Sequence, residues 1–416
     1  MSVPEPAVLL EADEVVTWAG PPGPRRGRAM DEPGVRRDAA VALADARVVA
    51  VGAADELRRR WPDARRESWR GCVLVPGLVD SHTHAVFGRW RVDEFEARAR
   101  GRSYMEIHAS GGGIGASVRD LRALDEAALL ERARPRLRRM LEHGTTTVEI
   151  KSGYGLRLED EVKMLRVIRT LAAEGPWDVV PTFLGAHALP PEFADRRDAY
   201  VEHVTREMIP RVAAEGLAEF CDAFVEPGVF TAQEGERILS AAREHGLRVK
   251  VHADEFEWSG GAELAVRFGA VSADHLGAVS DEGIRTLADS ETVATLLPGT
   301  ALFLGHTRFA PARRLIDAGA AVALATDFNP GTSPSTHLPL MMSLAVTQMR
   351  MTPAEALAAA TVNGAAALGR GDGLGTLDVG APADLAAFRV EEYREIAYRY
   401  GENHCVAVWK RGLRVV

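Results

Sequence analysis

Cysteine is scarce in this sequence: there are three cysteines among 416 residues, and they lie far apart. Cys72, Cys221 and Cys405 include no Cys-x-x-Cys pair, so their spacing excludes both a disulfide framework and a cysteine-based zinc site. An odd number of widely separated cysteines is typical of buried, reduced thiols in a cytosolic protein.

Long apolar runs and an excess of basic residues are also missing. No apolar stretch is long enough to cross a bilayer, and residues 1–6 lack the basic segment and apolar run of a secretory signal peptide. Acidic residues outnumber basic ones by 59 to 50, and the net charge is −9. We therefore expect a cytoplasmic protein whose partners include neither nucleic acid nor a membrane surface.

The composition that is present is that of a globular protein, with 46% hydrophobic and 26% charged residues. The length allows two or three domains, or one large barrel with an accessory unit. Short apolar strands alternate with amphipathic helices in the central part. We predict strands at 78–84, 145–151, 179–187, 220–226, 248–253, 272–276, 292–297 and 322–327. We predict helices at 126–142, 159–174, 232–244 and 261–268, and another that ends near residue 368.

This alternation amounts to about eight strand–helix pairs, the number of a TIM (β/α)8 barrel. An open, doubly wound sheet would alternate in the same way. Such a sheet usually binds its ligand at early glycine-rich turns, and the reactive residues of this chain do not lie there. The sequence therefore predicts an α/β fold built on a TIM barrel.

Both ends of the chain are rich in short strands. We predict strands at 7–10, 15–18, 40–43 and 47–51, and again at 383–389 and 406–416. Because isolated strands cannot bury a face, we expect the two ends to combine into one small, β-sandwich-like domain. The predicted boundaries are 1–74 for its amino-terminal part, 75–368 for the barrel and 369–416 for its carboxy-terminal part.

A cluster of metal-binding side chains is predicted at the strand ends. His82 and His84 are two residues apart at the end of the first barrel strand, so both imidazoles face the same way. His252, His275 and Asp327 end the fifth, sixth and eighth strands. Each alone could be a buried structural residue, but together they predict a shared metal site at the carboxyl-terminal mouth of the barrel.

Several longer motifs carry a family resemblance. They are PGLVDSHTH at 76–84, RVDEF at 91–95, GGGI at 111–114, EIKSGYGL at 149–156, FLGAH at 183–187, HADE at 252–255 and DFNPGT at 327–332. With these motifs the chain resembles the amidohydrolase superfamily and, within it, the imidazolonepropionase family. The resemblance covers about 73–368, and the flanking β-segments fit it as well.

The resemblance implies metal-dependent hydrolysis of the ring C–N amide bond of 4-imidazolone-5-propanoate to N-formimidoyl-L-glutamate, a step of histidine degradation. It implies one divalent metal ion, Zn²⁺ or iron, held by His82, His84, His252 and Asp327. The residues it implies for substrate binding are Arg91, Tyr154, His187, Glu255, Asn329, Gly331 and Thr332. It also implies a homodimer. The fourth-strand segment 222–226 has no lysine that could be carboxylated to bridge two ions, which favours a single metal.

The predicted catalytic residues are Glu255, His275 and Asp327: the resemblance places His275 near the metal-bound water, and Glu255 lies three residues past the predicted ligand His252. We expect His275 to orient the attacking water or hold its proton, and Glu255, with Asp327, to move a proton to the leaving ring nitrogen. His187 is expected to stabilise the oxyanion. Arg91 is expected to clamp the substrate carboxylate with two parallel hydrogen bonds. Lys151 is interpreted as a structural residue or a neighbour of the metal ligands.

Alternatives remain open at this point. A related metal-dependent deaminase of a small heterocycle would have no use for Arg91 as a carboxylate clamp, and a non-catalytic scaffold would have lost metal ligands, none of which is missing. Arg91 could instead pair with Asp93 or Glu94 at the surface. Tyr154 could be a packed aromatic anchor, and His187 a buried structural histidine. The glycine-rich segment 111–115 lacks the Lys-Ser/Thr of a phosphate loop, so we interpret it as an active-site loop.

Overall fold

The computed structural model describes residues 6–102, 106, 112–371 and 373–416. Two sequence predictions fall partly outside the described residues: the amino-terminal segment 1–5 and Gly111 of the glycine-rich loop. The described strands are β1 Val8–Val16, β2 Val35–Ala44, β3 Arg47–Ala53, β4 Arg65–Pro76, β5 Leu78–Asp80, β6 Thr145–Lys151, β7 Asp178–Ala186, β8 Phe220–Val225, β9 Arg248–Ala253, β10 Ser272–His275, β11 Val293–Leu296, β12 Val322–Leu324, β13 Leu385–Phe388, β14 Cys405–Lys410 and β15 Leu413–Arg414.

Strands β5 to β12 form one sheet, in which each strand is parallel to its neighbours in chain order. The two edge strands meet just beyond their carboxyl ends. There the Asp327 N–H donates to the His82 carbonyl at 3.0 Å, and the His84 N–H donates to the Phe328 carbonyl at 2.9 Å. These bonds close the sheet, and the predicted TIM barrel is confirmed.

Helices cover the outside of the barrel. The α-helices of the described residues are α1 Ala54–Arg60, α2 Val92–Ala99, α3 Ile114–Arg122, α4 Glu126–Glu142, α5 Leu158–Glu174, α6 Arg197–His203, α7 Ile209–Ala214, α8 Ala232–Glu244, α9 Gly261–Arg267, α10 Asp281–Ala288, α11 Pro298–Phe303, α12 Ala312–Ala318, α13 Leu338–Met349, α14 Pro353–Ala359, α15 Val362–Ala366 and α16 Glu395–Tyr398. Short 3₁₀ turns lie at Gly27–Asp31 and Pro191–Phe193, and a π-helical turn at Val204–Met208 joins α6 to α7.

Local sequence explains where these helices begin and which face they bury. Helix α8 starts at a capping box, in which Thr231 and Glu234 satisfy each other's backbone N–H groups. Helix α4 buries Leu129, Ala133 and Leu137, which are spaced four residues apart and therefore share one face. In the described part of the chain, no helix combines the length and the apolar character needed to cross a bilayer.

The two ends of the chain combine into one seven-stranded mixed sheet, as predicted. Its strand order is β15-β14-β13-β4-β1-β2-β3, and only the pair β1–β4 is parallel. One face packs around Leu74, Leu385 and Trp409. Val75 and Phe388 belong instead to the core cluster shared with the barrel. The sheet therefore lies against the barrel, whereas the predicted domain boundaries stay a prediction.

Two details of the small sheet differ from the sequence prediction. The candidates at 7–10 and 15–18 are parts of one strand, β1, because the acidic residues between them have partners: Glu11 accepts from Arg58 at 2.7 Å, and Asp13 accepts from Arg70 at 2.7 Å. Strand β4 was not predicted, because its first half is polar and largely exposed, and only 72–76 is buried.

Candidate metal centre

The predicted metal ligands meet at the carboxyl-terminal mouth of the barrel. His82 and His84 directly follow β5, His252 lies in β9, and Asp327 follows β12. The ring centroids of His82 and His252 are 4.5 Å apart, and those of His82 and His84 are 5.3 Å apart. Asp327 Oδ1 lies 3.5 Å from His82 Nε2 and 3.6 Å from His84 Nε2. Four residues separated by up to 245 positions thus share one small volume.

The donor atoms are suited to a transition metal ion. The nitrogen and oxygen donors of His82, His84 and Asp327 all lie within 4.8 Å of one another, and so do those of His82, His252 and His275. The Nε2 atoms of His82 and His252 are buried and have no hydrogen-bond partner among the described residues. Buried nitrogens without partners cost free energy unless an ion uses their lone pairs. Imidazole and carboxylate donors fit Zn²⁺ and Fe²⁺.

Burial keeps the imidazoles of His82, His84 and His275 neutral. Desolvation lowers the pKa of His82, His84 and His275 well below the ordinary value, and neighbouring histidines or Lys151 add to the effect. Burial raises the pKa of Asp327 to about 6, against the hydrogen bond from Thr300 Oγ1 at 2.5 Å, which lowers it. Neutral imidazoles leave one ring nitrogen each as a ligand.

Two carboxylates that the sequence analysis missed orient the ligand rings. Asp274 Oδ2 lies 2.7 Å from His82 Nδ1, and Asp222 Oδ2 lies 3.0 Å from His252 Nδ1. A carboxylate accepts hydrogen bonds, so Nδ1 of His82 carries the proton and its Nε2 faces the site with its lone pair. Nδ1 of His252 lies close to Asp222 but is not aligned for a hydrogen bond. The signal was available in the sequence, because both aspartates lie on strands that end at the site.

The backbone around the site is strained. Asp327, His275 and Asp254 have φ values of +50°, +77° and +51°, in the left-handed region that residues other than glycine rarely adopt. Each follows or ends a barrel strand, and the change in chain direction brings His275 and Asp327 to the mouth of the barrel. At Asp254 the cost of the strained backbone is partly offset, because its carboxylate accepts hydrogen bonds from the backbone N–H groups of Ser259 and Ala262.

A cavity above these residues contains most of the predicted substrate-binding residues. Its lining includes Arg91, Tyr154, His187, Glu255, Asn329 and Thr332. The structure therefore brings these side chains together, and their contacts with a substrate stay a prediction. Arg91 also forms the ion pair with Glu94 that the sequence allowed as an alternative, with Nε 3.3 Å from Oε2. Tyr154 is 2% exposed, as expected of a packed aromatic side chain. Arg91 is nevertheless buried at the cavity and is not a surface residue.

Gly331 is absent from the cavity lining and makes room for Arg91. A Cβ atom on Gly331 would lie 1.7 Å from Nη2 of Arg91. Asn329 shapes the same turn, because its Oδ1 accepts from the N–H groups of Gly331 and Thr332 at 2.8 and 2.7 Å. The guanidinium of Arg91 therefore packs against this turn only because residue 331 has no side chain. The sequence motif did not predict this role of Gly331.

His187 and Glu255 are fixed by the loops around them. His187 Nδ1 lies 2.9 Å from the carbonyl oxygen of Gly153, and burial lowers the pKa of His187 to about 3. Its proton is therefore on Nδ1, and Nε2 is an acceptor. Burial, with Asp327 adding to it, raises the pKa of Glu255 well above the ordinary value, and its Oε1 lies 3.6 Å from His275 Nδ1. Glu226, also missed in the sequence, holds this loop by accepting the Glu255 N–H at 2.9 Å.

Comparisons with known proteins agree with this geometry. The model of the amidohydrolase family matches residues 73–415, and a model of the imidazolonepropionase-like composite domain of bacteria matches residues 39–64. The chain is 50% identical to an imidazolonepropionase of Geobacillus kaustophilus over 99% of this chain and 98% of that protein. It is 47% identical to an imidazolonepropionase of Symbiobacterium thermophilum over the same shares of the two chains.

Solved structures share the fold. An adenosine deaminase from Xanthomonas campestris with bound zinc superposes with a TM-score of 0.71 at 21% identity, over 99% of this chain and 93% of that one. An ochratoxinase of A. niger gives a TM-score of 0.68 at 20% identity, over 98% of this chain and 95% of that one. At such identities the likeness concerns the fold alone.

Proposed function

The chain belongs to the amidohydrolase family and, within it, to the imidazolonepropionases, and from this we propose how its metal centre performs their reaction. The reaction is hydrolysis of the ring amide of 4-imidazolone-5-propanoate to N-formimidoyl-L-glutamate in histidine degradation. The single observation that supports a catalytic site is the convergence of three imidazoles and Asp327 beneath a cavity that also contains Arg91.

We assign His82, His84, His252 and Asp327 as ligands of one divalent ion, Zn²⁺ or iron. An ion bound there would lower the pKa of a coordinated water to ~7 and polarise the amide carbonyl. The unpartnered Nε2 atoms of His82 and His252 support this assignment. Lys151 is no second-metal ligand in this proposal, since its Nζ donates to Asp222 at 2.8 Å.

Arg91 binds the propionate of the substrate in this proposal. Its guanidinium is buried at the cavity and offers two parallel N–H donors to a carboxylate. Gly331 leaves the space that the guanidinium occupies. A heterocycle without a carboxylate would make no use of this cation at the cavity, which would be left with Glu94 as its only acidic partner in the part of the chain that the structure describes; this disfavours the deaminase alternative.

His187 binds the ring and not an oxyanion. The sequence analysis gave it an oxyanion-stabilising role, which requires an N–H directed at the developing charge. The Nδ1 proton is used by the Gly153 carbonyl, and Nε2 has only a lone pair. We therefore revise that role: His187 Nε2 accepts a ring N–H of the substrate and fixes the plane of the ring.

Glu255 and His275 move the protons. Burial keeps a proton on the Glu255 carboxyl, so that it can be donated to the leaving ring nitrogen. His275 takes the proton of the attacking water at Nε2 and passes the Nδ1 proton to Glu255, which restores Glu255 and leaves His275 as its Nε2–H tautomer. Loss of the Nε2 proton to solvent and uptake of one at Nδ1 then restore His275. The 3.6 Å between His275 Nδ1 and Glu255 Oε1 closes to hydrogen-bond distance with a small side-chain shift. The share of Asp327 in proton transfer stays a prediction.

Two further properties belong to the proposal. The family resemblance supports a homodimer, and the acidic net charge of −9 fits a cytoplasmic location. Light scattering after size exclusion checks the first: we expect twice the 44.9 kDa of one chain. A mass of one chain at micromolar concentration would contradict the dimer.

The decisive experiment uses freshly made imidazolonepropionate and follows the loss of its ultraviolet absorbance. The purified protein should consume it, lose activity to a chelator and regain it when Zn²⁺ or Fe²⁺ is restored. Arg91→Ala should lower kcat/KM about 100-fold, mainly through KM, because a buried charge pair is lost.

Bound metal should be unchanged in Arg91→Ala. Arg100→Ala is the matched control, since it removes the same charge next to the same helix from an exposed side chain paired with Glu96. Equal kinetics of the two variants would remove the assignment of Arg91, and a metal-loaded wild-type protein that leaves the substrate intact would remove the proposed function.

A further inference from the structure

A second layer of charged side chains lies inside the barrel beneath the metal centre. It consists of Glu149 and Lys151 on β6, Asp222 on β8, Lys250 on β9 and Asp274 on β10, and none of these side chains is exposed. Because strand side chains alternate between faces, Glu149 and Lys151 share the interior face. We call these five residues the charged layer.

The two lysines of the charged layer have different partners. Lys151 Nζ donates to Asp222 Oδ2 at 2.8 Å and to Glu149 Oε1 at 3.0 Å, and it lies 3.5 Å from Asp274 Oδ2. Lys250 Nζ lies 3.0 Å from Glu149 Oε1, donates to the Ser81 carbonyl at 2.9 Å, and is 3.9 Å from Asp274 Oδ2. Lys151 therefore contacts all three carboxylates, whereas the closest contacts of Lys250 are with Glu149 and the Ser81 carbonyl.

Asp222 and Asp274 connect this layer to the ligands. They are the carboxylates that face Nδ1 of His252 and His82. The same Oδ2 atom of Asp222 that faces His252 accepts the hydrogen bond from Lys151. An ionised carboxylate in a dry interior needs such a partner, because burying a charge costs several kcal/mol when it is not paired.

We propose that Lys151 is a positioning residue of the metal centre, whose ammonium group fixes the two aspartates that orient His82 and His252. Lys250 differs in having no contact with Asp222, although it lies 3.9 Å from Asp274 and donates to the Ser81 carbonyl next to His82. The inference rests on the proposed function only in that the four ligands hold a metal ion.

The test compares Lys151→Met with Lys250→Met in the full-length, metal-loaded protein. Zn²⁺ retention is measured against increasing concentrations of a competing chelator, without substrate. Lys151→Met should raise the apparent Kd for Zn²⁺ about 10- to 100-fold, as loss of a partner behind a ligand does. Lys250→Met is equally buried and removes the same charge, so it is the matched control. Because Lys250 has no contact with Asp222, its Kd should rise much less than that of Lys151→Met.

The sign of the effect separates positioning from simple electrostatics. Removing a positive charge beneath a cation site would tighten metal binding in both variants. A larger loss of Zn²⁺ affinity in Lys151→Met than in Lys250→Met supports the inference, and an equal or smaller loss, or tighter binding, overturns it. The Co²⁺-loaded protein adds a readout of ligand geometry: its visible absorption should change in Lys151→Met and not in Lys250→Met.

A folding control keeps the test decisive. If Lys151→Met does not fold, the double variant Lys151→Met/Glu149→Gln restores the charge balance and is compared with Glu149→Gln alone. Glu149 faces Lys151, Lys250 and Thr182; a carboxylate oxygen lies within 4.8 Å of a His82 nitrogen, but the structure shows no hydrogen bond between them. Wild-type protein that binds Zn²⁺ but leaves imidazolonepropionate intact would contradict the proposed function and leave this inference standing.

Discussion

The barrel and the small sheet both bury apolar cores, but they arrange charged residues differently. In the small sheet these residues form separate pairs: Arg70 and Asp13 are each 45% exposed, and Lys410 and Asp384 form one buried pair. Inside the barrel, Lys151 and Lys250 are fully buried with three carboxylates. A surface pair stabilises little, and a buried cluster costs desolvation. The comparison indicates that the buried charges of the barrel lower its stability and are kept because they surround the candidate metal centre.

The backbone shows the same contrast. In the small sheet, Asp45 and Ala46 have positive φ in the turn between β2 and β3, where a tight hairpin requires it. In the barrel, His275 and Asp327 have positive φ at the mouth, where no hairpin exists. Strain in the small sheet therefore serves chain reversal, whereas strain in the barrel directs functional side chains.

The largest expected effect is the loss of activity when a proposed metal ligand of the barrel is removed. His252→Ala should lower kcat/KM about 10³-fold or more, because the ion and its several kcal/mol of transition-state stabilisation are lost. Steady-state kinetics and metal analysis of the purified variant measure this. His404→Ala, which alters a histidine just before β14 of the small sheet, should keep both activity and metal. Comparable losses in the two variants would contradict the division between the regions.

An intermediate effect, a rise in KM, is expected when Gly331 is replaced. Gly331→Ala places a Cβ where the Arg91 guanidinium lies, so we expect KM to rise about 10- to 100-fold, as misplacing a binding group by ~1 Å does. Gly52→Ala in the small sheet is the control, since its Cβ would meet Leu57 at an ordinary 3.6 Å. Initial-rate kinetics suffice, and an unchanged KM in Gly331→Ala would show that Arg91 relaxes without cost.

The smallest expected effect is a change in the pH dependence of stability, caused by a histidine that lies between the barrel and the small sheet. Half-buried His337 precedes α13 beside His143, with ring centroids 4.5 Å apart, and burial lowers the pKa of His337 to about 4, with His143 and His404 adding to it. Unfolded histidine titrates near 6.5, so the unfolded chain binds more protons between pH 6.5 and 4. The free energy of unfolding should therefore fall by about 1–2 kcal/mol from this residue as the pH drops from 6.5 to 5.

Urea unfolding at a series of pH values measures this dependence, and His337→Gln should make the slope shallower. His143 should continue to contribute in that variant, because burial lowers its pKa as well. Identical slopes for the variant and the wild type would mean that the histidines at the border do not affect stability.

Much of the barrel could be predicted from periodicity. The predicted strands 145–151 and 248–253 and helices 126–142 and 232–244 have the observed bounds. The strand predicted at 78–84 ends at Asp80, and His82 and His84 follow it in an irregular segment. Strand β4 was missed because pairing with β1, and not an apolar pattern, makes its polar half a strand.

The sequence by itself determined the barrel, its small partner sheet and the side chains that could bind a metal, because hydrophobic period and strand-end position are local properties of the chain. Only the tertiary structure decided which atoms face each other: the Nδ1 atoms against Asp222 and Asp274, the guanidinium of Arg91 against Gly331, and Lys151 among three carboxylates. These relations join residues up to 240 positions apart, from Arg91 to Gly331, and they arise when the sheet closes and water is excluded.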